Sequence, residues 1–189
     1  MNVHLRSLLF FFLLACSSAQ VLGDEYSDTI NVYRKAKESS QFFSKSYGYA
    51  VLPTIGKGGI GIGGAHGTGR VYAKGQYVGD TSMTQITVGL QLGGQAYSQM
   101  IFFEDKHAFD EFTGGNFEFG AQATAVAITA GASAQAGTTG ATAGASGSQQ
   151  SSKNVAKYYK GVAVFTVAKG GLMYEATIGG QKFNYRRKE

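Results

Sequence analysis

The sequence is poor in several residue types, and each shortage excludes some classes of fold or structural feature. Its 189 residues include one proline, one cysteine and no tryptophan, and charged residues make up only 15%. With Cys16 as the single cysteine, the chain cannot hold an internal disulfide. Glycine is abundant instead, at 28 residues, and the aromatic residues, all Tyr or Phe, reach 13%. This composition favours β structure over a helical bundle.

The first 23 residues are predicted to be a secretory signal peptide. A basic start at Arg6 precedes the apolar run Leu8–Ala15, which is too short to span a membrane as a permanent helix. Cys16 follows the run, either as the lipidated residue of a bacterial lipobox or as a small residue in a leader that is cut further along. We therefore predict an exported protein, periplasmic or tethered at its start, with one domain over residues 24–189.

Basic residues exceed acidic ones, and the formal net charge is +5 at pH 7. The excess is concentrated in residues 153–189, where eight Lys or Arg residues stand against Glu175 and Glu189. Such an end favours an anionic partner, although a solubilising tail explains it equally well. The sequence has no helix-turn-helix, zinc-finger or cold-shock pattern, so nucleic acid is not predicted as a partner.

Residues 24–47 are predicted to form a helix. Tyr26, Ile30 and Tyr33 recur at helical spacing and make one apolar stripe. The stripe either packs on the domain or, as a surface helix, enters lipid while neighbouring cations meet phosphates. Those cations are Arg34, Lys35 and Lys37.

From Tyr47 onward the apolar residues alternate with a period of two, which is typical of strands. At the odd positions of Gly59–Gly69 no side chain is larger than the methyl group of Ala65. One face of this strand is therefore nearly bare, and another element can approach its backbone closely. On the next strand one face carries four aliphatic residues: Ile86, Val88, Leu90 and Leu92. The pair Gly93-Gly94 fits either a hairpin turn or a kink in one long strand.

A short helix is predicted at residues 105–113, capped by Asp105 and ended by Gly114. Residues 137–152 contain only Gly, Ser, Thr, Ala and Gln, and are predicted to form a flexible loop. The expected fold is one α+β domain, with a strongly curved antiparallel sheet or partial barrel. An N-terminal helix and the short helix are expected to cover it.

The glycine-rich residues 56–70 contain the pattern G-x-G-x-x-G twice, but they do not predict a nucleotide site. A dinucleotide loop needs a helix directly after the glycines, and here the pattern continues as strand and turn. His107 and Glu111, four residues apart on the short helix, are a weak metal signal. Without a nucleophile-elbow motif either, no enzyme activity, catalytic residue, metal or cofactor is predicted.

Four sequence blocks carry a family resemblance: GYAVLPTIGKGGIGIGGAHGTGRVY, TVGLQLGGQAYSQMIFFE, GNFEFGAQATAVA and AKGGLMYEATIGGQKF. Together they closely resemble the SYLF lipid-binding domain family, also called DUF500 or the Ysc-type actin-binding domain. The resemblance runs from about Tyr33 to Tyr185 and is greatest to the exported bacterial single-domain branch. It implies a binding module for anionic phospholipid. Eukaryotic members also bind actin, which an exported bacterial protein does not meet.

The predicted function is therefore non-catalytic binding of anionic phospholipid at the periplasmic face of a membrane. The alternative is a structural or protein-interaction module of the bacterial envelope. In eukaryotic family members a basic N-terminal helix contacts lipid, and residues 24–45 match that region. The candidate lipid-binding residues are Arg34, Lys35, Lys37, Lys45, Lys57, Arg70, Arg186, Arg187 and Lys188.

Overall fold

The structure is a computed structural model, and it describes residues 24–115, 117–119, 126–127 and 157–189. The predicted signal peptide with Cys16 and the predicted loop at residues 137–152 lie outside the described residues. The described part is an α+β arrangement in which one sheet carries helices on its two sides.

The described residues form three helices and five strands. The helices are α1 (Glu25–Lys35), α2 (Phe42–Lys45) and α3 (Lys106–Thr113). The strands are β1 (Gly48–Ala73), β2 (Gln76–Phe103), β3 (Phe117–Phe119), β4 (Val126–Ala127) and β5 (Val162–Arg187). Strands β1, β2 and β5 have 26, 28 and 26 residues, several times the usual length, and pair antiparallel in the order β1-β2-β5. On the far side of β5, β3 pairs antiparallel and β4 parallel.

The three long strands form a ribbon that folds over onto itself. A Cβ atom placed on Gly69 would lie 2.5 Å from the carbonyl oxygen of Val51, and one on Gly67 would lie 2.8 Å from that of Thr54. In a straight strand Val51 and Gly69 would be roughly 60 Å apart. At Gly67 and Gly69 the bare face predicted for Gly59–Gly69 therefore does admit a close neighbour, which is the first half of the same strand, whereas a Cβ atom on Gly61 would meet nothing within 4 Å. The predicted curved antiparallel sheet is confirmed.

The ribbon turns at a fold line, which we define as residues 59–63 of β1 and residues 88–94 of β2. A Cβ atom on Gly59 would lie 2.5 Å from the carbonyl oxygen of Ile62, so the chain bends sharply here. Gly61 has a φ of 70°, in the left-handed region that favours glycine. One residue of β1 faces three residues of β2 at this point, and such a bulge increases strand bending.

Strand β2 crosses the fold line without a break. The pair Gly93-Gly94 lies inside it, so this pair is a kink, where Gly93 has a φ of 121°. The hairpin turn that joins β1 to β2 is formed by Lys74 and Gly75, with φ values of 49° and 80°. Positive φ at both central residues suits the twist of a two-residue hairpin.

The interior between the two halves of the ribbon is the main apolar core. It is closed at one end by α3, which contributes Ala108 and Phe112. The other buried residues of this core are Ala50, Leu52, Ile55, Ala65, Val71, Met83, Ile101, Phe103, Val162 and Phe183. Helices α1 and α2 cover the outer face of the first half, where Tyr33 and Phe42 pack against Phe102 and Phe165.

The helix predicted over residues 24–47 is interrupted, so its predicted extent is wrong. Helix α1 ends at Lys35, and Ala36 is extended, with a ψ of 127°. The hydroxyl of Ser39 donates to the carbonyl oxygen of Tyr33 at 2.6 Å and so competes for an acceptor in the last turn. The apolar stripe packs on the domain, since Ile30 and Tyr33 are buried.

The short helix agrees with its prediction. Helix α3 starts after Asp105, whose carboxylate accepts from the backbone N–H of Ala108 at 2.9 Å, and it ends before Gly114. The side chains of Ala108 and Phe112 face the interior. The cap therefore orients a helix that seals one end of the folded ribbon.

Candidate functional site

Five large aliphatic side chains are exposed at or beside the fold line, and we call them the distal apolar patch. The exposed fractions are 80% for Ile60, 68% for Ile62, 68% for Ile86, 62% for Val88 and 57% for Leu92. Ile60 lies opposite Leu92 in the register, and Ile62 lies opposite Val88. Opposed residues of antiparallel strands share a face, with Cβ atoms about 5 Å apart. The patch is therefore continuous across β1 and β2.

The patch faces outward because the opposite face of each strand is turned toward the interior of the ribbon. In the second half of β1, Gly67 and Gly69 face the interior, where the first half of the strand leaves no room for a side chain. In β2 Thr87 is only 1% exposed, while Ile86 and Val88 on either side of it are exposed. The face shared by Ile86, Val88 and Leu92 is thus the outer one. The side chain of Leu90 is not among those described.

Behind the patch the interior is polar, formed by a glutamine layer that consists of Gln85, Gln99 and Gln181. The side-chain amide of Gln99 donates to Gln181 Oε1 at 3.0 Å, and the amide of Gln181 donates to Gln85 Oε1 at 3.5 Å. Gln99 is fully buried, and its Oε1 has no hydrogen-bond partner among the described residues. The layer joins the two halves of the ribbon, and Gln99 and Gln85 lie opposite the core residues Leu52 and Ala65 in the register.

The sequence around the patch is nearly free of negative charge. No Asp or Glu occurs in residues 48–73 or 81–103, which include the fold line of β1 and β2. Lys57 lies three residues before Ile60 and opposite Gln95. On β5 the single carboxylate residue in this region is Glu175, at the register position opposite Gln91. The electrostatic surroundings of the patch on β1 and β2 therefore favour an anionic surface.

Three of the predicted cations meet at the other end of the strands, and we call Arg70, Arg186 and Lys188 the basic corner. Arg70 lies opposite Asp80, and Asp80 lies opposite Arg186. Arg70, Asp80 and Arg186 therefore form a row across β1, β2 and β5. The guanidinium of Arg186 is 3.3 Å from Asp80, and that of Arg70 is 3.1 Å from the carboxylate of Asp24. The two arginines are thus partly neutralised by carboxylates within the domain.

A tyrosine supports the basic corner. The hydroxyl of Tyr77 donates to Asp80 at 2.7 Å, and this bond together with Arg186 lowers the pKa of Asp80. The guanidinium of Arg70 lies 4.1 Å from the centre of the Tyr26 ring, and the ammonium of Lys188 lies 5.0 Å from that of Tyr77. Such cation–π contacts orient the cations while leaving their outer sides toward solvent. Arg187, next in the chain, is exposed.

The remaining predicted cations lie on or beside the two N-terminal helices. Arg34 stacks on Phe43, 4.8 Å from the ring centre, and Lys45 donates to Gln41 Oε1 at 3.0 Å. Lys35 ends α1 and Lys37 lies beyond it, both exposed. The nine candidates therefore occupy three places: on or beside the N-terminal helices, beside the fold line at Lys57, and at the basic corner with its neighbour Arg187.

Sequence reasoning missed Lys169 and the outward direction of the patch. The ammonium of Lys169 is 3.3 Å from Glu25 Oε1 and 3.1 Å from Thr54 Oγ1, which ties α1 to β1 and β5. A hydrogen bond from Thr54, followed by the Lys169 contact, lowers the pKa of Glu25. The alternation of isoleucine and glycine in residues 59–63 carried the signal for the patch, because the isoleucines are the only side chains in this stretch.

Other site types find little support in the described residues. Within the part of the chain that the structure describes, no group of three His, Cys, Asp or Glu side chains is placed to hold a metal ion. His107 Nε2 and Glu111 Oε1 are 3.6 Å apart as an exposed pair on α3. None of the described helices is long and apolar enough to cross a membrane.

A comparison with family models decides the family. Residues 84–189, more than half of the chain, match the Ysc84 model, described as "Las17-binding protein actin regulator". The chain belongs to the Ysc84 family. This is the SYLF domain family, so the resemblance noted in the sequence is confirmed. The region matched to Ysc84 contains most of β2, all of β5 and three residues of the distal apolar patch, Ile86, Val88 and Leu92.

A curated relative agrees with the Ysc84 assignment. Beta cell expansion factor A of Aeromonas veronii is 29% identical over 176 residues, an alignment that covers 87% of this chain and 56% of the relative. The chain thus spans little more than half the length of that protein. No solved structure matches the chain.

Proposed function

We propose that this Ysc84-family chain is a non-catalytic module that binds anionic phospholipid at a membrane surface through the distal apolar patch. One observation carries the proposal: five aliphatic side chains, each more than half exposed, lie side by side on strands nearly free of carboxylates. Contiguous exposed apolar surface of this kind marks membrane or protein interaction sites. Membership of a family whose domain is known in general to bind lipid supports the choice of lipid.

The expected energies place the main contact at the patch. A Val, Leu or Ile side chain moved fully out of water contributes about 1.5–3 kcal/mol, so five partly transferred side chains contribute several kcal/mol together. A cation near an anionic surface contributes about 1 kcal/mol. We therefore expect Lys57 to add a modest preference for anionic lipid, and the patch to supply most of the affinity.

The N-terminal helix is a weaker candidate for the same contact. The apolar stripe of α1 is occupied, because Tyr33 is fully buried and its hydroxyl donates to the Ser98 carbonyl oxygen at 2.9 Å. For α1 to act as an amphipathic lipid-binding helix, it would have to leave the domain. Its cations Lys35 and Lys37 remain able to add electrostatic attraction. The proposal keeps the ligand predicted from the sequence and moves the main contact to the fold line.

Cosedimentation with vesicles tests this function. The purified chain is expected to bind phosphatidylcholine vesicles that contain phosphatidylglycerol, and to bind pure phosphatidylcholine less. Added salt should weaken the difference, because it screens the contribution of the cations. If the chain sediments with neither vesicle, the proposal is wrong and the protein-interaction alternative takes its place.

Matched variants locate the contact. Ile62→Ser combined with Val88→Ser removes the centre of the patch, and it is expected to weaken binding by at least about tenfold. Val32→Ser is the control, since Val32 is also exposed, at 42%, but lies on α1. Unchanged binding by the double variant would reject the patch. Loss on reversing the charges of Arg34, Lys35 and Lys37 would then assign the contact to α1.

We also propose that the chain is exported and acts at the periplasmic face of a membrane. The basis is the layout of the first 23 residues, with Arg6 before an apolar run and small residues after it. Mass spectrometry of the protein recovered from a bacterial host is expected to show an N-terminus within residues 16–24. A start at Cys16 with added lipid mass would identify a lipoprotein, and an intact Met1 would reject export.

A further inference from the structure

The outer face of the ribbon near the fold line is aliphatic, and its interior includes polar side chains. Thr87 and Gln99 are buried, as are the apolar residues Ile55 and Ala65, whereas the side chains of the distal apolar patch point to solvent. Sheets that face water on one side bury their apolar face and expose their polar face. Strands that lie in lipid have apolar side chains on their outer face. The outer face at this end of the ribbon therefore has the character of a surface that lies in lipid.

The glutamine layer keeps this arrangement in place. Gln99 donates to Gln181, and Gln181 donates to Gln85, so side-chain hydrogen bonds connect the two halves of the ribbon behind the patch. Turning the strands over would bury isoleucines among amides and would break these bonds, and unpaired buried amides are costly. The ribbon thus cannot hide its aliphatic side chains by a change of register.

The backbone at the fold line is also suited to a medium without water. Strand β2 is the middle strand, and residues 92–94 of the fold line pair with β1 on one side and with β5 on the other, while residues 89–91 pair with β5. Backbone N–H and C=O groups that leave water unpaired cost several kcal/mol each, so paired strands enter lipid at much lower cost than a loop does. A protruding loop with the same isoleucines would lack this advantage.

Charge favours an anionic membrane as the occupant of the patch. Residues 48–73 and 81–103 contain no Asp or Glu, so β1 and β2 place no carboxylate around the patch that would repel a phosphate layer. The side chain of Lys57 is long enough to lie along apolar surface while its ammonium reaches the phosphates.

We propose that the fold line enters the acyl-chain layer of an anionic membrane, with the distal apolar patch among the acyl chains and Lys57 at the level of the phosphates. This inference rests on the proposed function, and it adds that the contact goes deeper than the head groups. The patch carries the penetrating side chains on two adjacent paired strands, and α1 stays docked on the domain during binding.

Tryptophan fluorescence tests the depth, because the sequence has no tryptophan of its own. Ile62→Trp reports from the patch and Val32→Trp reports from α1, each in the full chain. The vesicles contain phosphatidylglycerol and phosphatidylcholine with brominated acyl chains, which quench nearby indole rings. Quenching is expected to be at least about threefold stronger for Ile62→Trp than for Val32→Trp, with a blue shift on binding.

The outcomes separate this inference from the proposed function. If wild type cosediments with anionic vesicles but Ile62→Trp is not quenched, the patch does not reach the acyl chains and only the depth is wrong. Val88→Trp, on the neighbouring strand, repeats the measurement if Ile62→Trp does not fold. If wild type does not cosediment, the proposed function fails as well. A concentration-dependent blue shift without vesicles would show that a second copy covers the patch, and it would overturn the inference.

Discussion

At the scale of single residues, two glycines allow the two halves of β1 to approach closely. Gly67 and Gly69 face the first half of their own strand at distances that leave no room for a Cβ atom. Tyr33, in contrast, fills its site completely and places its hydroxyl beside the carbonyl oxygens of Ser98 and Phe165. The glycines thus stabilise the fold by letting the two halves of β1 approach each other, and Tyr33 stabilises it by filling the space between α1 and the sheet.

Gly69→Ala is expected to destabilise the protein by about 1–3 kcal/mol, because the new methyl group would meet the Val51 carbonyl oxygen at 2.5 Å and Leu52 Cγ at 2.8 Å. Gly56→Ala is the matched control, since a Cβ atom at Gly56 would meet nothing within 4 Å. The free energy of unfolding in urea measures both. Equal stability of the two variants would mean that the two halves of β1 are not in contact.

Tyr33→Phe removes the hydroxyl that donates to the Ser98 carbonyl oxygen at 2.9 Å in a buried site. The expected loss is about 1–2 kcal/mol, the usual effect of removing one partner of a buried hydrogen bond. Tyr159→Phe serves as the control, because Tyr159 is 56% exposed, and it should change stability by less than about 0.5 kcal/mol. A Tyr33→Phe protein as stable as wild type would contradict the docking of α1 through this hydroxyl.

At the scale of elements, short helices are placed by single polar contacts and long strands by pairing. Helix α3 has eight residues and depends on the cap of Asp105, while α1 is held by Glu25 and Asp24 through ion pairs with Lys169 and Arg70. Strands β1 and β5 flank β2 at equal levels, since Ile101 lies opposite both Ala50 and Val164. Residues 49–59 and 162–171 thus pair with the same part of β2 from its two sides.

Asp105→Ala removes the cap of α3 and is expected to cost about 1 kcal/mol in unfolding free energy. Asp105→Asn should restore most of this loss, because an amide oxygen can accept from the Ala108 N–H in the same way. Asp110→Ala gives the background effect, since it removes only an exposed contact with Lys106 and should cost less than about 0.5 kcal/mol. Urea unfolding of the three variants makes the comparison. An Asp105→Ala loss no larger than that of Asp110→Ala would contradict the cap.

At the scale of the whole molecule, all three long strands contribute residues to the apolar core. Leu52 and Ile55 come from the first half of β1, Met83 comes from the start of β2, and Phe183 comes from the end of β5. Because the ribbon folds over, residues at opposite ends of each long strand share one core. The same folding brings the middle of the ribbon to one extremity, where the distal apolar patch lies.

A truncated chain of residues 84–189, the region matched by the family, is expected not to fold cooperatively. It lacks β1 and α1, and so it loses Leu52, Ile55 and Val71 from the interior and Tyr33 from the outer face. Circular dichroism and urea unfolding are expected to show no sharp transition. A cooperative transition with the stability of the full chain would mean that β1 contributes little to the core.

Two carboxylates make stability depend on pH in a predictable direction. The pKa of Glu25 is lowered by Thr54 and Lys169, and that of Asp80 by Tyr77 and Arg186. A folded-state pKa below the unfolded one adds stability above the unfolded value, near pH 4, and that stability is lost as the pH falls through the folded value. Unfolding free energy should therefore decrease between about pH 5 and pH 3.

Glu25→Gln combined with Asp80→Asn tests this, and the variant should show a shallower decrease over that pH range. Both carboxylates are half-exposed, so each contributes only a few tenths of a kcal/mol. High salt should reduce the difference between wild type and variant, because it screens exposed pairs. Equal slopes at low salt would show that these two carboxylates do not control the pH dependence.

The sequence by itself determined the β-rich class, the alternation along β1 and β2, the short helix with its Asp105 cap, the bare face within Gly59–Gly69 and the family resemblance. These features depend on neighbours in the chain, so local pattern is enough to find them. The break in the N-terminal helix was not found, because it depends on the hydroxyl of Ser39 reaching the Tyr33 carbonyl oxygen.

Only the tertiary structure decided which face of the ribbon is inside. Alternation shows that two faces differ, but not which of them another segment will cover. Here the first half of β1 covers the bare face at Gly67 and Gly69, and Thr87 and Gln99 also lie inside. Ile60 and Ile62 lie where β1 bends at the fold line, and their side chains stay exposed. The candidate site thus lies at the bend that the folding of the ribbon requires.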